Sequence, residues 1–397
     1  MHDRRVARGL DDTRREQVRN HLRFKTVLVH IGSPKAGSTS IQERLARAAR
    51  SGGLKPVRYP LWGRERNHNR LTTLYEAHGR LPAYWRQHYP ADDLNFRRMR
   101  RQFRTFLFAD LVAASAAVLS AEQLFYFSSD NVARFRRDLE SLGFTEFHIV
   151  LYVRDPAGFY LSASQQRLKL PGDPRIEDPE TFSYGFRRAA GNWERSFPGR
   201  LVVRRALSEP GEDVTDDFCG LLQDRLGVAL PPLSERMNTS LSAEGMKILL
   251  DYRQMFWPDG SITPDIDRLV RFLKESRSVL PQTRPALKDD VAVKIRAHHS
   301  ADGEVILDRY GVDLGLQNLS PAPPSRPVVR LEQILQSVDP GIVERLLLEL
   351  ARTELARPPT RGPIPLQMAA WAYRSIPPHR RPQRLDGWLR NVIHRKR

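Results

Sequence analysis

Residues 27–42 group a lysine and several hydroxyl side chains around two glycines, in the stretch VLVHIGSPKAGSTSIQ. A short apolar run, typical of a buried strand, ends in a loop that contains Gly32, Lys35 and Gly37. After the loop, apolar residues recur at the spacing of one helix face, at Ile41, Leu45, Ala48 and Ala49. The N–H groups at the start of this helix and the positive end of its dipole therefore face the loop. The stretch predicts a strand, an anion-binding loop and the start of a helix.

The position of the lysine separates this loop from a Walker A motif. Gly32 and Gly37 have the Walker spacing, but Ser38 follows Gly37 and the lysine lies two residues before it, at Lys35. In a Walker loop the lysine after the last glycine reaches the terminal phosphates, and the next hydroxyl binds magnesium. A lysine earlier in the loop can instead cover the bridging oxygen of a phosphate-linked leaving group. A glycine-rich structural turn is the alternative interpretation.

A second candidate phosphate site follows another apolar run, in the stretch FHIVLYVRDPAGFYLSASQQ that begins at Phe147. The run ends at Arg154, a proline stops the strand, and Ser162 lies eight residues beyond the arginine. An arginine at a strand end and a serine two turns into the next helix can converge on one phosphate. The alternative is an arginine paired with a surface carboxylate and a serine bonded to its own helix backbone.

Together, the two stretches resemble the donor-binding motifs of sulfotransferases that use 3′-phosphoadenosine 5′-phosphosulfate (PAPS). The matching residues are Pro34, Lys35, Ala36, Gly37, Ser38 and Thr39 in the phosphosulfate loop, and Arg154 and Ser162 in the 3′-phosphate site. The resemblance, which covers about residues 26–310, implies that the backbone from Ala36 to Ser40 holds the 5′-phosphate of PAPS. It also implies that Lys35 neutralises the leaving group and that no metal is needed.

The resemblance further implies an enzyme that transfers a sulfuryl group from PAPS to a hydroxyl or amine of an acceptor. The Arg-Lys-Gly loop near the C-terminus of cytosolic small-molecule sulfotransferases has no counterpart here, which argues against a phenol or steroid acceptor. We therefore expect a carbohydrate or glycolipid acceptor. Two alternatives stay open: a nucleotide-dependent P-loop kinase, which requires a lysine after Gly37 and acidic magnesium ligands, and a non-catalytic protein that binds anionic glycans.

The general base is less well defined, because branches of the resembling family use His or Glu in different places. Glu122 is the first candidate, since it lies just past a predicted strand between the two motifs. His68 is the second candidate and lies in the loop-rich stretch 51–90. The aromatic side chains of that stretch suit a sugar acceptor, or they pack locally under a long loop. His30, inside the first strand, is expected to be a core histidine.

Strands that alternate with helices predict an α/β fold with a central parallel sheet, flanked by helices and followed by a mainly helical C-terminal extension. Strands are expected at 26–31, 117–119, 147–153 and 201–203. We expect three regions: a charged N-terminal arm (1–23), a sulfotransferase-like α/β domain (24–318), and a Pro/Arg-rich linker, helix and basic tail (319–397). Both motifs then lie at carboxyl ends of strands, where α/β sheets bind ligands.

The composition favours anionic ligands, with 64 Lys plus Arg against 46 Asp plus Glu and a net charge of +18. We expect no nucleic-acid partner, because zinc-ligand spacing, an RNP-like aromatic pair and a helix-turn-helix pattern are all lacking.

The single cysteine and an N-terminus without an apolar core favour a cytoplasmic protein. The basic end, RLDGWLRNVIHRKR, suits peripheral contact with the inner membrane face or docking onto the protein's own body. No metal site is expected.

Overall fold

A computed structural model describes residues 24–170, 172–206, 213–230, 240–261, 263–317, 319, 330–356 and 364–377. The predicted N-terminal arm, most of the predicted linker and the basic C-terminal end lie outside these described residues. The described chain is an α/β structure built around one parallel sheet, with more helix than strand. The predicted α/β class with a central parallel sheet is therefore confirmed.

The sheet has four strands in the order β2-β1-β3-β4, and all neighbouring strands are parallel. The strands are β1 (Thr26–His30), β2 (Ala116–Ser120), β3 (Glu146–Val153) and β4 (Leu201–Arg205). His30 at the end of β1 is in register with Ser120 of β2 and with Val150 of β3. All residues of β1 and β2 are buried, as expected for parallel strands covered on both faces.

Helices connect and follow the strands, because parallel neighbours require crossover connections. They are α1 (Ser38–Ser51), α2 (Thr72–Tyr75), α3 (Ala83–His88), α4 (Leu94–Val112), α5 (Ser129–Ser141), α6 (Pro156–Lys169), α7 (Phe186–Ser196), α8 (Val214–Leu226), α9 (Ala243–Phe256), α10 (Pro264–Glu275), α11 (Asp289–His298), α12 (Ser300–Tyr310), α13 (Pro340–Ala356) and α14 (Ile364–Arg374). Short 3₁₀ turns lie at Asn69–Leu71, His78–Arg80, Glu122–Tyr126, Ser276–Ser278 and Leu331–Gln333.

The core lies on the faces of the sheet, to which successive strand residues point alternately. On one face, strand residues such as Leu28 and Val150 join a buried cluster with Ile41 of α1 and Phe218 of α8. A separate aromatic cluster packs beside the sheet, where the Trp193 ring of α7 contacts the ring of Phe135 on α5 and the ring of Phe197. Large buried apolar side chains therefore fix the positions of the helices that carry the loops described below.

The chain divides into two compact units that are interleaved along the sequence. The first comprises the described residues within 1–159, 183–237 and 299–319 and contains the whole sheet. The second comprises the described residues within 160–182, 238–298 and 320–397. Its described part is mostly helical. It comprises the later turns of α6 and the helices α9, α10, α11, α13 and α14. The sequence-based boundaries at residues 23 and 318 stay a prediction. In the described ranges, no helix has the length and apolar character needed to cross a membrane.

Candidate active site at the sheet edge

The order of the strands creates a switch point beside β1. From β1 the chain passes to β2 on one side of it, and then returns to β3 on the other side. In open parallel sheets, ligands bind in the crevice that such a reversal leaves at the carboxyl ends of the strands. The loop after β1 and Arg154 after β3 both lie at this edge. The fold therefore puts the two predicted phosphate motifs on neighbouring strands.

The loop after β1 is folded back on itself by hydrogen bonds around Ser33. The Ser33 amide donates to the Tyr152 carbonyl of β3 at 3.1 Å, and the Tyr152 amide donates to the Gly32 carbonyl at 3.0 Å. The Ser33 carbonyl in turn accepts from the Ala36 amide at 3.4 Å and from the Ser38 hydroxyl at 3.1 Å. Between these anchors Lys35 has a φ of 63°, a left-handed conformation that non-glycine residues seldom adopt outside turns and ligand-binding sites.

Two glycines of the loop are needed for conformation and for close packing. Gly32 has a φ of 92°, and a Cβ atom there would lie 3.2 Å from the Cα of Glu122. Gly37 has a φ of 86°, and a Cβ atom there would lie 2.1 Å from a methyl of Val214, the first residue of α8. A side chain at either position would move the loop away from its neighbours. The shape of the loop is therefore set by its contacts with the segment after β2 and with the start of α8.

Helix α1 begins at the loop without a side-chain cap. Gly37 is its N-cap residue, no described side chain caps the helix, and its first turn contains no acidic residue. Ser38 is buried and bonded to the loop carbonyl of Ser33, whereas Thr39 is exposed and Ser40 is half-buried. The first N–H groups of a helix have no intrahelical partners, and the dipole makes this end positive. The end of α1 is therefore suited to an anion.

Arg154 lies directly against the loop. Its Nη1 atom donates to the Lys35 carbonyl at 2.8 Å, so one hydrogen bond joins the two motifs. The guanidinium passes over Gly158 in the first turn of α6, where a Cβ atom would lie 2.9 Å from Nη2. Asp155 caps α6 by accepting from the Ala157 amide at 3.3 Å and the Gly158 amide at 3.1 Å. The start of α6 thus supports the arginine in its place beside the loop.

Ser162 is the remaining residue of the predicted 3′-phosphate site. It lies on α6, two turns beyond Arg154, as the sequence predicts. The helix crosses the boundary between the two units after Phe159, so that Ser162 belongs to the second unit and Arg154 to the first. The convergence of these two side chains on one phosphate stays a prediction.

Glu122 opens the 3₁₀ turn that follows β2, and it is half-buried. Burial raises the pKa of its carboxyl group, and the positive charge of Lys35 opposes part of this rise. A charge effect of this kind requires that the lysine and the carboxylate be near each other. Together with the packing of Gly32 on the Cα of Glu122, this effect places the loop that carries Lys35 beside Glu122, the first candidate for the base. A carboxyl group with a raised pKa beside a lysine is typical of sites that move a proton.

His68, the second candidate for the base, has both ring nitrogens bonded to the backbone. Nε2 donates to the Pro60 carbonyl at 2.7 Å, and Nδ1 accepts from the Ser120 amide at 3.0 Å. The ring is buried, which lowers its pKa to about 4, so it is neutral at pH 7. The next residue, Asn69, accepts from the Gln123 amide through its side-chain oxygen at 3.2 Å. This geometry favours a structural role, in which residues 68 and 69 hold the backbone on both sides of Glu122.

His30 lies in the core, as expected. Its Nδ1 atom is 2.8 Å from the Ser120 hydroxyl, and its ring packs against the rings of Tyr152 and Phe218. Burial lowers its pKa to about 3, so the ring is neutral at physiological pH. Its Nε2 atom is buried and has no hydrogen-bond partner in the described ranges. His30 therefore supports the strand that leads into the loop and is not placed to take a proton from an acceptor.

Tyr184 is a site residue that the sequence analysis missed. Its hydroxyl shares a 2.5 Å hydrogen bond with the Ser33 hydroxyl and accepts from the Arg154 amide at 3.3 Å. Its ring stacks on Phe159 with 3.9 Å between centroids and 13° between planes, and its amide donates to the His299 ring at 3.0 Å. Burial raises the pKa of Tyr184 to about 12, so the hydroxyl keeps its proton. Tyr184 follows a turn-rich stretch and has no motif around it, so only the three-dimensional contacts reveal it.

The aromatic side chains of stretch 51–90 pack locally, both against one another and against α4. Trp62 makes edge contacts with the rings of Phe103 and Phe106 on α4. The Arg70 guanidinium lies 5.0 Å from the centre of the Trp85 ring and pairs with the Glu65 carboxylate. These contacts favour the second of the two interpretations, in which the aromatic residues pack locally. An acceptor cleft in this stretch stays a prediction.

Comparison of the chain with protein-family models, curated proteins and solved structures found no match. The functional argument therefore depends on the site itself. In the described ranges no group of three or more His, Cys, Asp or Glu side chains is arranged to hold a metal ion.

Proposed function

We propose that this protein is a PAPS-dependent sulfotransferase with a P-loop-like sulfotransferase fold. It would transfer a sulfuryl group to a hydroxyl or amine of a carbohydrate or glycolipid acceptor. The observation that carries the proposal is the 2.8 Å hydrogen bond from Arg154 to the Lys35 carbonyl. It joins the residues that resemble a phosphosulfate loop to the arginine that resembles a 3′-phosphate ligand. An enzyme that binds a donor with phosphates at both the 5′ and 3′ positions needs these two elements side by side.

The described residues suit a donor with several negative charges. The uncapped start of α1 and the loop from Ala36 to Ser40 would hold the 5′-phosphosulfate through backbone N–H groups and hydroxyls. Arg154 would bind the 3′-phosphate through a charge-assisted hydrogen bond, with Ser162 as its predicted partner. Gly32 and Gly37 support this assignment, because side chains at these positions would disrupt the loop. The proposed donor site also includes Pro34, Lys35 and Ala36.

Lys35 and Glu122 are assigned the two chemical roles. The acceptor oxygen forms a bond to sulfur while the bond from sulfur to the bridging oxygen of the 5′-phosphate breaks, and adenosine 3′,5′-bisphosphate leaves. Lys35 would neutralise the negative charge that develops on that bridging oxygen. Glu122 would accept the proton of the acceptor hydroxyl, for which its raised pKa and its position beside Lys35 are suitable. We assign His68 a positioning role, because its ring nitrogens bond the backbone at Pro60 and at Ser120, two residues before Glu122.

The remaining expectations belong to the same proposal. The enzyme would work in the cytoplasm, and its basic C-terminal end would either dock onto the protein's own body or contact the inner membrane face. The high positive charge supports anionic substrates or surfaces.

A transfer assay with sulfur-labelled PAPS tests the proposal, with a panel of oligosaccharides, glycolipids and simple alcohols as acceptors. The matched variants are Lys35→Ala and Lys55→Ala, which remove the same charge, since Lys55 is exposed beyond the opposite end of α1. We expect labelled product from the wild type and from Lys55→Ala, and none from Lys35→Ala. Tight binding of PAPS without turnover on any acceptor would favour the glycan-binding alternative. Phosphoryl transfer from ATP and magnesium would favour the kinase.

A further inference from the structure

Helix α4 contains a stretch that is rich in arginine. Residues 97–104, RRMRRQFR, include five arginines among eight residues, and no acidic residue lies between Asp93 and Asp110. The opposite side of the helix is buried in the core, through residues such as Phe103 and Leu107. Short basic stretches of this kind are typical of surfaces that bind sulfated polysaccharides or nucleic acids. The arginine-rich side of α4 is therefore a candidate surface for an anionic partner.

Two of the five arginines have no partner. Arg98 and Arg101 are exposed, and within the described ranges neither has a hydrogen bond or an ion pair. By contrast, Arg104 on the same helix pairs with the Asp138 carboxylate of α5 at 3.3 Å. A guanidinium without a carboxylate partner keeps all its N–H donors for a ligand or for water. Arg98 and Arg101 are therefore the two arginines best able to bind an added anion.

Uncharged polar residues share the helix face of these two arginines. Positions 98, 101, 102 and 105 recur at intervals of three or four, so their side chains leave α4 on one side. Arg98, Arg101, Gln102 and Thr105, together with the half-buried Phe106, line an open depression with a volume of about 620 Å³. Gln102 and Thr105 are exposed and add hydrogen-bond donors and acceptors beside the guanidinium groups. One helix therefore presents charge and hydrogen-bonding groups in a single row.

The aromatic and apolar residues of α4 decide between classes of anionic partner. Single-stranded nucleic acid needs open aromatic faces on which its bases stack. Phe106 is instead half-buried, and the Trp62 ring packs edge-on against it with 5.2 Å between ring centres. A membrane-surface helix needs a continuous apolar face open to lipid, whereas the exposed apolar residues of α4, Leu94 and Val112, lie at its opposite ends. A chain of acidic sugars needs neither feature.

We propose that this face of α4 binds an anionic polysaccharide. Arg98 and Arg101 would bind carboxylate or sulfate groups of the chain through forked hydrogen bonds. Gln102 and Thr105 would bond sugar hydroxyls between these charged groups. The net charge of +18 would attract such a chain before contact. None of these residues belongs to the candidate active site, so binding here does not depend on the proposed transfer reaction.

Isothermal titration with three octasaccharides, without a donor, tests the proposal. Octagalacturonate has carboxylates, a heparin octasaccharide has sulfates as well, and maltooctaose is neutral. We expect the wild type to bind one or both acidic chains more tightly than maltooctaose. Arg98→Ala/Arg101→Ala should raise the Kd of the acidic chain by at least about 10-fold, the effect of losing charge-assisted hydrogen bonds. Replacement of both arginines by lysine, which keeps the charge but loses the fork, should recover only part of the affinity.

A second double variant removes the same charge elsewhere. Arg225 and Arg309 are exposed in the last turns of α8 and α12, and within the described ranges neither has an ion pair. Arg225→Ala/Arg309→Ala should leave the Kd of the acidic chain almost unchanged. Thr105→Glu keeps every arginine but adds a negative charge to the depression, and it should weaken binding. Circular dichroism checks that each variant keeps the wild-type helix content.

Four results would overturn the proposal. They are binding of neither acidic octasaccharide, binding that survives in Arg98→Ala/Arg101→Ala, binding that survives in Thr105→Glu, and equal losses in the two double variants. In the last case general positive charge would explain the binding. Phosphatidylserine vesicles and a single-stranded oligonucleotide are titrated in parallel. Tighter binding of either one, lost only in Arg98→Ala/Arg101→Ala, would assign the surface to lipid or nucleic acid instead. Selective loss of octasaccharide binding supports the proposal even where no sulfuryl transfer is detected.

Discussion

Gly158 offers a sharp test of the proposed 3′-phosphate site, because it lies beneath the Arg154 guanidinium. In Gly158→Ala the new Cβ atom would lie 2.9 Å from Nη2, 3.4 Å from Nε and 3.5 Å from Cζ of that arginine. The first distance is too short for a carbon atom, so the guanidinium must shift by at least a few tenths of an ångström. The amide of residue 158, which donates to Asp155, is unchanged by the substitution. The variant therefore displaces the arginine without removing it and leaves the helix cap in place.

The substitution should affect donor affinity and stability differently. Full loss of a hydrogen bond to a charged group costs about 1.5–3 kcal/mol, and a displaced arginine loses part of this, so we expect a Kd increase between about 3-fold and 100-fold. Alanine is favoured over glycine within a helix by about 0.5–1 kcal/mol. The free energy of unfolding should therefore stay constant or rise slightly. A weaker site in an equally stable protein would separate an effect on the arginine from general damage to the fold.

Titration calorimetry with two nucleotides measures the effect. Adenosine 3′,5′-bisphosphate should bind Gly158→Ala more weakly than the wild type, whereas adenosine 5′-monophosphate, which lacks the 3′-phosphate, should bind both equally. Gly191→Ala is the matched control, since it is also a helix glycine and a Cβ atom there has no neighbour within 4 Å. Equal losses for both nucleotides, or no loss for either, would refute the assignment of Arg154 to the 3′-phosphate.

Four further predictions concern other residues. Lys35→Ala should abolish transfer while thermal unfolding stays at the wild-type temperature, and Lys55→Ala should retain activity. Glu122→Gln should lower kcat at least about 100-fold with little change in PAPS affinity. In the wild type, a base with a raised pKa should put the acidic limb of the kcat profile above the usual carboxyl range, and that limb should be absent in the glutamine variant. Because the folded pKa of His68 is about 4, against 6.5 for the free side chain, unfolding free energy should be lost as pH falls through this window, and less steeply in His68→Gln. Arg253→Ala should cost at least about 3 kcal/mol in a denaturant titration, with Arg253→Lys recovering only part, because its buried guanidinium bonds the carbonyls of residues 167, 168, 170 and 172.

The four strands could be predicted from the sequence because each contains a short apolar run bounded by glycine, proline, serine or charged residues. The predicted strand at 117–119 corresponds to Ala116–Ser120, and the strand before Arg154 ends at Val153, as expected. A buried parallel strand has no polar face to obscure its pattern. The order of the strands and the division into two interleaved units are absent from any local pattern, because both depend on contacts between distant segments.

The candidate site was only partly predictable, because sequence spacing shows residue types but not hydrogen-bond partners. Lys35, Glu122 and Arg154 are grouped at the sheet edge, and each belongs to a recognisable strand end. His68 fits the same pattern from sequence, yet both of its ring nitrogens are taken by backbone groups of Pro60 and Ser120. Whether a histidine can exchange a proton depends on such contacts more than on its distance from a motif. Tyr184 shows the reverse case, since its role appears only when Ser33 and Arg154 come together.

The contact between Gly32 and Glu122 suggests why the loop and the base are coupled. A glycine in a phosphate loop is usually explained by the positive φ that a tight turn requires, and Gly32 does have this conformation. A Cβ atom added to Gly32 would lie 3.2 Å from the Cα of Glu122. The loop therefore packs directly on the backbone of the proposed base. His68 and Asn69 bond the amides of residues 120 and 123, and they fix that backbone from the other side. The backbone segments that carry Lys35 and Glu122 are therefore held together by packing between main chains. If Lys35 and Glu122 have the proposed roles, a change at Gly32 should impair proton transfer as well as donor binding, because it would move both groups at once.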